Sequence, residues 1–352
     1  MTHFRCSLWA LIVLSFSRLA LSQSGPSAAH DVPRYLLQVT DARPISTPPF
    51  SFSSAQCDST GNVYLELPDR LYSLKAILRV SSDGKTVTPI PLPTDLGSNG
   101  EWHYYVSQDS SLFVTYSEAS KNVMIRYSPS GIELGRTNLE LPTYFHIHSF
   151  AVHDRGDGLF FGSTSSSSAD LSGVPQSTSS VPAQKDTPYT IWLDQSGRLV
   201  KKITQGERFL RSDFQADGLT IPTSPMRYVM ATTSKVSELS SFGETTRSFN
   251  LVPSIKGSTL SGIQYHNGEI ALVVARPQGS PIASSDSDAS TEPYFGPMVH
   301  DWLVVNLVTG EEAAWYQSPK DIVGTALCYL GDRHFLYFTV KDSQPTLVEA
   351  GP

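Results

Sequence analysis

Short apolar runs alternate with polar turns along most of the chain. The apolar runs at residues 63–65 and 76–80, for example, are each followed or preceded by polar residues that include Gly-Asn or Asp-Gly pairs. Glycine and asparagine readily adopt the positive φ values of tight hairpin turns, and β-branched and aromatic residues suit the pleated strands between them. The pattern therefore predicts a succession of antiparallel hairpins.

These hairpins recur with a period of about 46 residues, the length of a β-propeller blade. The later turn of each unit ends in a glycine, and these glycines are Gly84, Gly131, Gly197, Gly243 and Gly310, spaced by 47, 66, 46 and 67 residues. The two long intervals contain low-complexity insertions at about residues 163–188 and 276–297. Because such segments have too few apolar residues to offset the entropy of ordering, we expect flexible loops there.

The predicted fold is all-β, a six-bladed β-propeller of four-stranded antiparallel blades. The chain left after the two insertions fits six units and is too short for seven. Because the last unit stops early, an N-terminal strand at residues 35–39 is predicted to complete the last blade and close the ring. A single propeller domain is thus expected over residues 34–352, preceded by a linker at residues 23–33.

The first repeat unit carries a family resemblance. Asp-Ser-Thr-Gly-Asn-Val-Tyr at residues 58–64, with Ile-Leu-Arg-Val-Ser-Ser-Asp-Gly-Lys at residues 77–85, resembles a blade of the six-bladed propellers of the NHL, TolB-like and gluconolactonase-like group. The resemblance implies the architecture of most of the chain. It implies no activity, because propellers of this kind include enzymes, ligand binders and interaction platforms.

The N-terminus has the features of an export signal. Arg5 precedes an apolar run at residues 8–16, and Ala20-Leu21-Ser22 fits a cleavage site, so we expect a signal peptide over residues 1–22 and a secreted or periplasmic protein. No other stretch is long and apolar enough to cross a membrane. The net charge of −7 argues against nucleic acid or an anionic membrane as a partner.

Two cysteines remain after the expected cleavage, Cys57 in the first unit and Cys328 in the last. Each precedes the first turn of its unit, and these units are neighbours in a closed ring. Export permits a disulfide between them. The alternative is two separate buried thiols, because equivalent strands of adjacent blades can lie too far apart for a disulfide.

Histidines supply the densest candidate for metal binding. His146 and His148 lie two residues apart in a predicted strand, so their side chains would point to one face about 7 Å apart, near enough to share a divalent ion such as calcium or zinc. His153 and Asp154 follow closely. The alternative is polar residues on a solvated strand face or along the central channel.

Other candidates are weaker. Gluconolactonase-like propellers hold a metal over the channel with acidic and Asn side chains from different blades, and Glu101, Asp213 and Asp217 are candidates by position only, with solvated loops as the alternative. Residues 286–290 (Asp-Ser-Asp-Ala-Ser) resemble the start of a calcium loop but lack its glycine and its final glutamate. The aromatic residues 101–105 could stack on a ligand, although packing between blades is their more usual role.

The local motifs of α/β-hydrolases, zincins, thioredoxin-like enzymes and P-loop proteins are absent from the sequence. We therefore expect an exported, non-enzymatic propeller without a cofactor that binds a protein, peptide, glycan or envelope component. The alternative is a metal-dependent lactonase-like or other hydrolase with its site at the central channel.

Overall fold

The computed structural model describes residues 32–46, 51–68, 74–96, 100–118, 121–143, 145–164, 187–204, 219–224, 227–232, 234–240, 244–251, 259–277, 298–320, 322 and 324–352. All regular structure in these residues is β-strand, and none of it is a helix that could span a membrane. Residues 1–31, with the predicted signal peptide and most of the predicted linker, lie outside the described part.

Two strands precede the first complete blade, β1 (Arg34–Leu36) and β2 (Gln38–Pro44). The first blade consists of β3 (Ser51–Cys57), β4 (Val63–Pro68), β5 (Leu74–Val80) and β6 (Val87–Pro91). The second consists of β7 (Glu101–Val106), β8 (Leu112–Glu118), β9 (Lys121–Tyr127) and β10 (Glu133–Asn138). The third consists of β11 (Phe145–Val152), β12 (Gly158–Thr164), β13 (Thr187–Leu193) and β14 (Leu199–Thr204).

The remaining three blades follow the same antiparallel order. The fourth consists of β15 (Leu219–Ser224), β16 (Arg227–Ala231), β17 (Lys235–Leu239) and β18 (Thr245–Asn250). The fifth consists of β19 (Thr259–His266), β20 (Glu269–Pro277), β21 (Met298–Asn306) and β22 (Glu311–Gln317). The sixth contains β23 (Gly324–Gly331), β24 (His334–Lys341) and β25 (Gln344–Gly351), and these six sheets confirm the predicted six-bladed propeller.

The N-terminal segment closes the ring. Strand β2 pairs antiparallel with β25 and supplies the fourth strand of the last blade, as predicted, but it spans residues 38–44 rather than 35–39. Tyr35 and Leu36 belong instead to β1, which pairs in parallel with β22 and adds a fifth strand to the fifth blade. The buried side chain of Leu37 lies between β1 and β2, so the segment joins the last two blades.

The first strands of the blades form a closed inner ring. Each contacts the first strand of the next blade, in the order β3, β7, β11, β15, β19, β23 and back to β3. The buried side chains form clusters that join neighbouring blades, for example Tyr64 with Tyr116 and Trp302 with Phe335. The apolar core therefore lies mainly between blades, and large aromatic side chains fill much of it.

Alternating strand direction gives the propeller two sides. On one side, tight turns join strand one to strand two and strand three to strand four of a blade. We call this side the turn face. The other side, which holds the joints between strands two and three and the links between blades, is the loop face. Both predicted insertions come between the second and third strands of a blade, β12 and β13 in the third and β20 and β21 in the fifth; residues 165–186 and 278–297 within them lie outside the described part.

The repeated glycines make contacts between blades. Gly84, Gly131, Gly197 and Gly310 all have positive φ, and a Cβ added to each would press on the outer strand of the preceding blade or the residue just after it. At Gly131 the neighbour would be Ile90 Cγ1 at 3.0 Å, and at Gly197 it would be the carbonyl oxygen of Asn138. Gly243 lies outside the described residues. The period in the sequence is therefore a repeated junction between blades.

Candidate functional site

The loop-face mouth of the channel brings together two residues that the sequence singled out separately. Glu101 begins β7 and His146 lies near the start of β11, and these are neighbouring strands of the inner ring. His146 Nδ1 lies 3.2 Å from Glu101 Oε1, and the two side chains are 35% and 51% exposed. The pair is thus reachable from solvent and joins the second and third blades.

His148, the predicted metal-binding partner of His146, does not lie in the regular strand that the sequence predicted. The pairing of β11 with β12 shifts register between Ile147 and Ser149, so His148 lies at a β-bulge, which interrupts the regular alternation of side chains. The side chain of His148 lies outside the described part. The prediction that His146 and His148 share a metal therefore stays a prediction, and within the described residues no group of three or more His, Cys, Asp or Glu side chains is arranged to hold a metal ion.

Several other candidates fall elsewhere. His153 and Asp154 follow the opposite end of β11, on the turn face, so they do not join His146 in one site. Asp213, Asp217 and residues 286–290 lie outside the described residues.

The aromatic run at residues 101–105 forms β7 and packs between blades. Tyr104 is 5% exposed and its hydroxyl donates to the backbone oxygen of Tyr64 in the first blade, at 3.0 Å. Tyr105 is 8% exposed and contacts the ring of Phe150 in the third blade, with centroids 6.0 Å apart. Packing, rather than ligand stacking, is therefore the role of these two rings.

The turn-face end of the channel is crossed by a side chain. Gln108, in the turn between β7 and β8, donates a hydrogen bond from Nε2 to the backbone oxygen of Pro222 in β15, at 3.1 Å. The second and fourth blades are not neighbours in the ring, so this bond bridges the inner ring past the third blade. The hydroxyl of Ser59 in the first blade donates a hydrogen bond to the backbone oxygen of Gln108 at 2.6 Å.

Short polar side chains fix the turns of this face. Asp58 accepts hydrogen bonds from the backbone amides of Thr60 and Asn62 at 3.0 Å, and Asp194 does the same for Ser196 and Arg198 at 2.8 and 3.0 Å. Hydrogen bonds to the charged carboxylate lower the pKa of Asp194, first through the Ser196 hydroxyl. These turns are therefore held rigid from within.

A buried histidine marks the junction of the third and fourth blades on the turn face. His153 is 8% exposed, and its ring lies against that of Tyr228 with centroids 4.5 Å apart. Burial lowers the pKa of His153 by more than the negative charges of Asp157 and Asp154 raise it. Neutral imidazole is the favoured form in the folded protein.

A charged and aromatic cluster joins the fifth and sixth blades. Glu269 accepts a hydrogen bond from the Tyr329 hydroxyl at 2.8 Å and pairs with Arg333 Nη2 at 3.1 Å. The Arg333 guanidinium lies 5.9 Å from the ring centre of Tyr316, on which Tyr35 stacks. Arg333 adopts a φ of 66°, an uncommon conformation for a non-glycine residue, and these contacts offset its cost.

The first and last blades are joined by side chains as well as by β2. Cys57 at the end of β3 and Cys328 in β23 form a disulfide, with Cα atoms 5.8 Å apart and a sequence separation of 271. Arg43 of β2 donates to Glu349 at 2.6 Å and to the backbone oxygen of Ser82 in the first blade. Sequence spacing indicated the cysteine pair, whereas no local signal marked Arg43.

Comparison with known proteins gives structural likenesses only. No family model and no curated protein matches the chain. A member of the DUF4221 family from Bacteroides vulgatus is 12% identical with a TM-score of 0.47, covering 89% of this chain and 97% of that one. TolB from Acinetobacter baumannii is 12% identical with a TM-score of 0.43, covering 82% and 63%. A protein of unknown function from Bacteroides caccae is also 12% identical, with a TM-score of 0.43, covering 77% and 83%.

Proposed function

We propose that this chain is an exported, non-enzymatic propeller that binds a protein, peptide, glycan or other envelope component through its turn face. The observation that carries the proposal is the set of contacts within the protein that order the turns of that face. Its turns are fixed by side-chain hydrogen bonds such as those of Asp58 and Asp194, and by glycine contacts between blades. A surface ordered in advance loses little conformational entropy on binding.

The chemistry of the turn face also favours binding. Its turns carry hydroxyl, amide and carboxylate side chains such as Ser59, Gln108 and Asp154, and these groups can donate and accept hydrogen bonds from a partner. Val308, in the turn between β21 and β22, is 77% exposed and adds an apolar contact. The Gln108 bridge between the second and fourth blades narrows access to the channel from this side, which favours a ligand on the face over a substrate inside.

A capture experiment with matched variants tests the proposal. Mature wild-type chain, Val308→Arg and Val340→Arg would each be immobilised and exposed to envelope extract, and retained components would be quantified by mass spectrometry. Val340 is 61% exposed near the loop-face end of β24, so both substitutions replace an exposed valine by arginine on opposite sides. We expect components that wild type and Val340→Arg retain and Val308→Arg loses.

Two results would contradict this proposal. One is retention that Val308→Arg leaves unchanged and Val340→Arg abolishes, which would move the binding surface to the loop face. The other is that the wild-type chain retains no envelope component and hydrolyses a substrate in a screen of lactones, esters and phosphoesters. The export part is tested separately by looking for the chain in culture supernatant and periplasmic fractions. Mass spectrometry of the exported chain should show that residues 1–22 have been removed.

A second candidate function is metal-dependent hydrolysis at the loop-face mouth. The observation that favours it is the meeting of Glu101 with His146, one oxygen and one nitrogen donor from neighbouring inner strands, next to His148 in sequence. It predicts one bound divalent ion per chain after purification and a rise in melting temperature on adding calcium or zinc. Both should be lost in the double variant that carries Glu101→Gln and His146→Gln. Elemental analysis without metal and an unchanged melting temperature would eliminate it.

A further inference from the structure

A cavity of about 250 Å³ lies on the turn-face side of the seam between the first and last blades. Three parts of the chain form its walls. Arg43 of β2 and Glu349 of β25 line one side, and the turn residues Ser59, Thr60 and Ser82 of the first blade line another. Leu330 of the sixth blade provides an apolar surface, and Leu336, which is only 1% exposed, borders the cavity as a buried residue.

The charged groups of the cavity already compensate each other. Arg43 Nη2 lies 2.6 Å from Glu349 Oε2, and Arg43 Nε lies 2.5 Å from Asp41 Oδ2. Glu349 Oε1 also lies 3.0 Å from His334 Nδ1. The side chains of Arg43 and Glu349 are only 25% and 20% exposed, so a charged ligand would have to compete with a well-formed, partly buried pair. A neutral ligand meets no such competition.

The cavity keeps hydrogen-bonding capacity toward a neutral ligand. The Ser59 hydroxyl donates to the backbone oxygen of Gln108, so its own oxygen can still accept hydrogen bonds. The Thr60 hydroxyl donates to Asp58 and accepts from Asn62 Nδ2 at 2.7 Å, so one of its two lone pairs remains for a ligand. A guanidinium carries five N–H donors, and Arg43 uses three of them in its contacts with Asp41, Glu349 and Ser82. Donors and acceptors therefore face an apolar wall across a small space.

Gly61 lies directly against the apolar wall of the cavity. A Cβ at that position would lie 3.0 Å from Leu330 Cδ2, tighter than ordinary side-chain contacts, so a larger residue would press on the apolar wall. The volume lies just below the range of about 300–1,000 Å³ that is usual for small-molecule sites, which limits the ligand to a single small ring.

The geometry points to a binding site for one neutral sugar residue, with the hydroxyls of the ring facing Arg43, Glu349 and the turn residues and its apolar face against Leu330. This inference rests on the proposed binding function and names the ligand class for one place on the turn face. A pyranose unit of an envelope glycan has the required combination of neutral charge, many hydroxyls and one apolar face.

Saturation-transfer NMR with free monosaccharides tests the site on the full mature chain. Glucose, galactose and N-acetylglucosamine are the neutral probes, and glucuronic acid and glucosamine are their charged counterparts. Ser82→Leu places an isobutyl group toward the cavity. Gln195→Leu is the matched control, because Gln195 holds the same second position in the later turn of the third blade.

We expect at least one neutral sugar to bind at millimolar concentration, with affinity reduced about tenfold or more by Ser82→Leu and unchanged by Gln195→Leu. The near-ultraviolet circular dichroism spectrum establishes that each variant is folded, and Ser59→Leu serves as a second filling variant if Ser82→Leu does not fold. No binding of any neutral sugar, binding of charged sugars only, or binding that neither filling variant weakens would overturn the inference. If the chain captures no envelope component but still binds a neutral sugar, the proposal of a protein or peptide ligand is contradicted and the sugar site is supported.

Discussion

The turn face and the loop face of this propeller differ in how they hold the blades together. On the turn face, Gly84, Gly131, Gly197 and Gly310 repeat one contact with the preceding blade. On the loop face, the joints vary greatly in length, from the two residues between β24 and β25 to the segments between β12 and β13 and between β20 and β21.

The difference shows where the ring constrains the sequence. Each blade must meet the next at the same angle, so the turn that makes this contact needs the same backbone conformation and the same small residue in every unit. The joints between second and third strands share neither a common length nor a common glycine in the sequence. Changes at single sites can separate the contributions of the two faces to stability.

The disulfide of the ring closure should give the largest effect. Replacing Cys57 and Cys328 together by alanine removes a cross-link across 271 residues. On the chain-entropy model the free energy of unfolding should fall by about 5 kcal/mol. Urea denaturation of both proteins measures the change. A reducing agent should destabilise wild type similarly and leave the double variant unaffected, and a difference below about 1 kcal/mol would contradict a stabilising cross-link.

The next largest effect should come from a buried ion pair on the loop face. Asp301 is fully buried and accepts hydrogen bonds from Arg276 Nε at 2.6 Å and from the amide of Ser318 at 2.9 Å. It thereby joins β21 to the end of β20 and to the residue that follows β22. Asp301→Ala should lower the free energy of unfolding by about 3–5 kcal/mol. Lys85→Ala, at an exposed pair with Asp83 on the turn face, is the control and should change little.

Two glycine substitutions measure the repeated junction itself. Gly197→Ala places a methyl group against the backbone of Asn138 in the preceding blade and should cost about 2–3 kcal/mol in unfolding free energy. Gly268→Ala has a similar positive φ of 84° but meets nothing within 4 Å, so it should cost only about 1 kcal/mol. Equal losses would show that backbone strain alone, without contact between blades, accounts for these glycines.

The smallest predicted effect is a pH dependence from His153. Its folded-state pKa lies below the unfolded value of about 6.5 because it is buried, so the unfolded chain takes up the proton first as the pH falls. The stabilisation is complete above about pH 6.5 and is lost as the pH falls through the folded-state pKa. Unfolding free energies between pH 8 and 5 should show a shallower decline in His153→Gln, and parallel curves would contradict this.

Much of the frame follows from local sequence. Glycines with positive φ and Asn-Gly or Asp-Gly pairs specify turns by themselves, so the hairpins, the period and the six blades were predictable. The Cys57 and Cys328 pairing needed only the added assumption of a closed ring. The position of Tyr35 in the fifth blade was not predictable, because pairing of β1 with β22 depends on the outer edge of a sheet formed by residues about 280 positions later in the chain.

The candidate sites were less predictable because they combine distant parts of the chain. Glu101 meets His146 only through the packing of two inner strands, and the bulge at His148 depends on the register of β11 against β12. The seam cavity gathers Arg43, Ser82 and Glu349 from opposite ends of the sequence. No local motif records such meetings, because each residue type is ordinary in its own segment.

Hydrogen exchange of the chain with a captured envelope component provides the decisive comparison of the two faces. If the turn face binds, amide exchange should slow at residues 58–62, 194–198 and 307–310 and stay unchanged at the loop-face residues 318–320 and 341–344. Slowed exchange confined to the loop-face residues would contradict binding through the turn face.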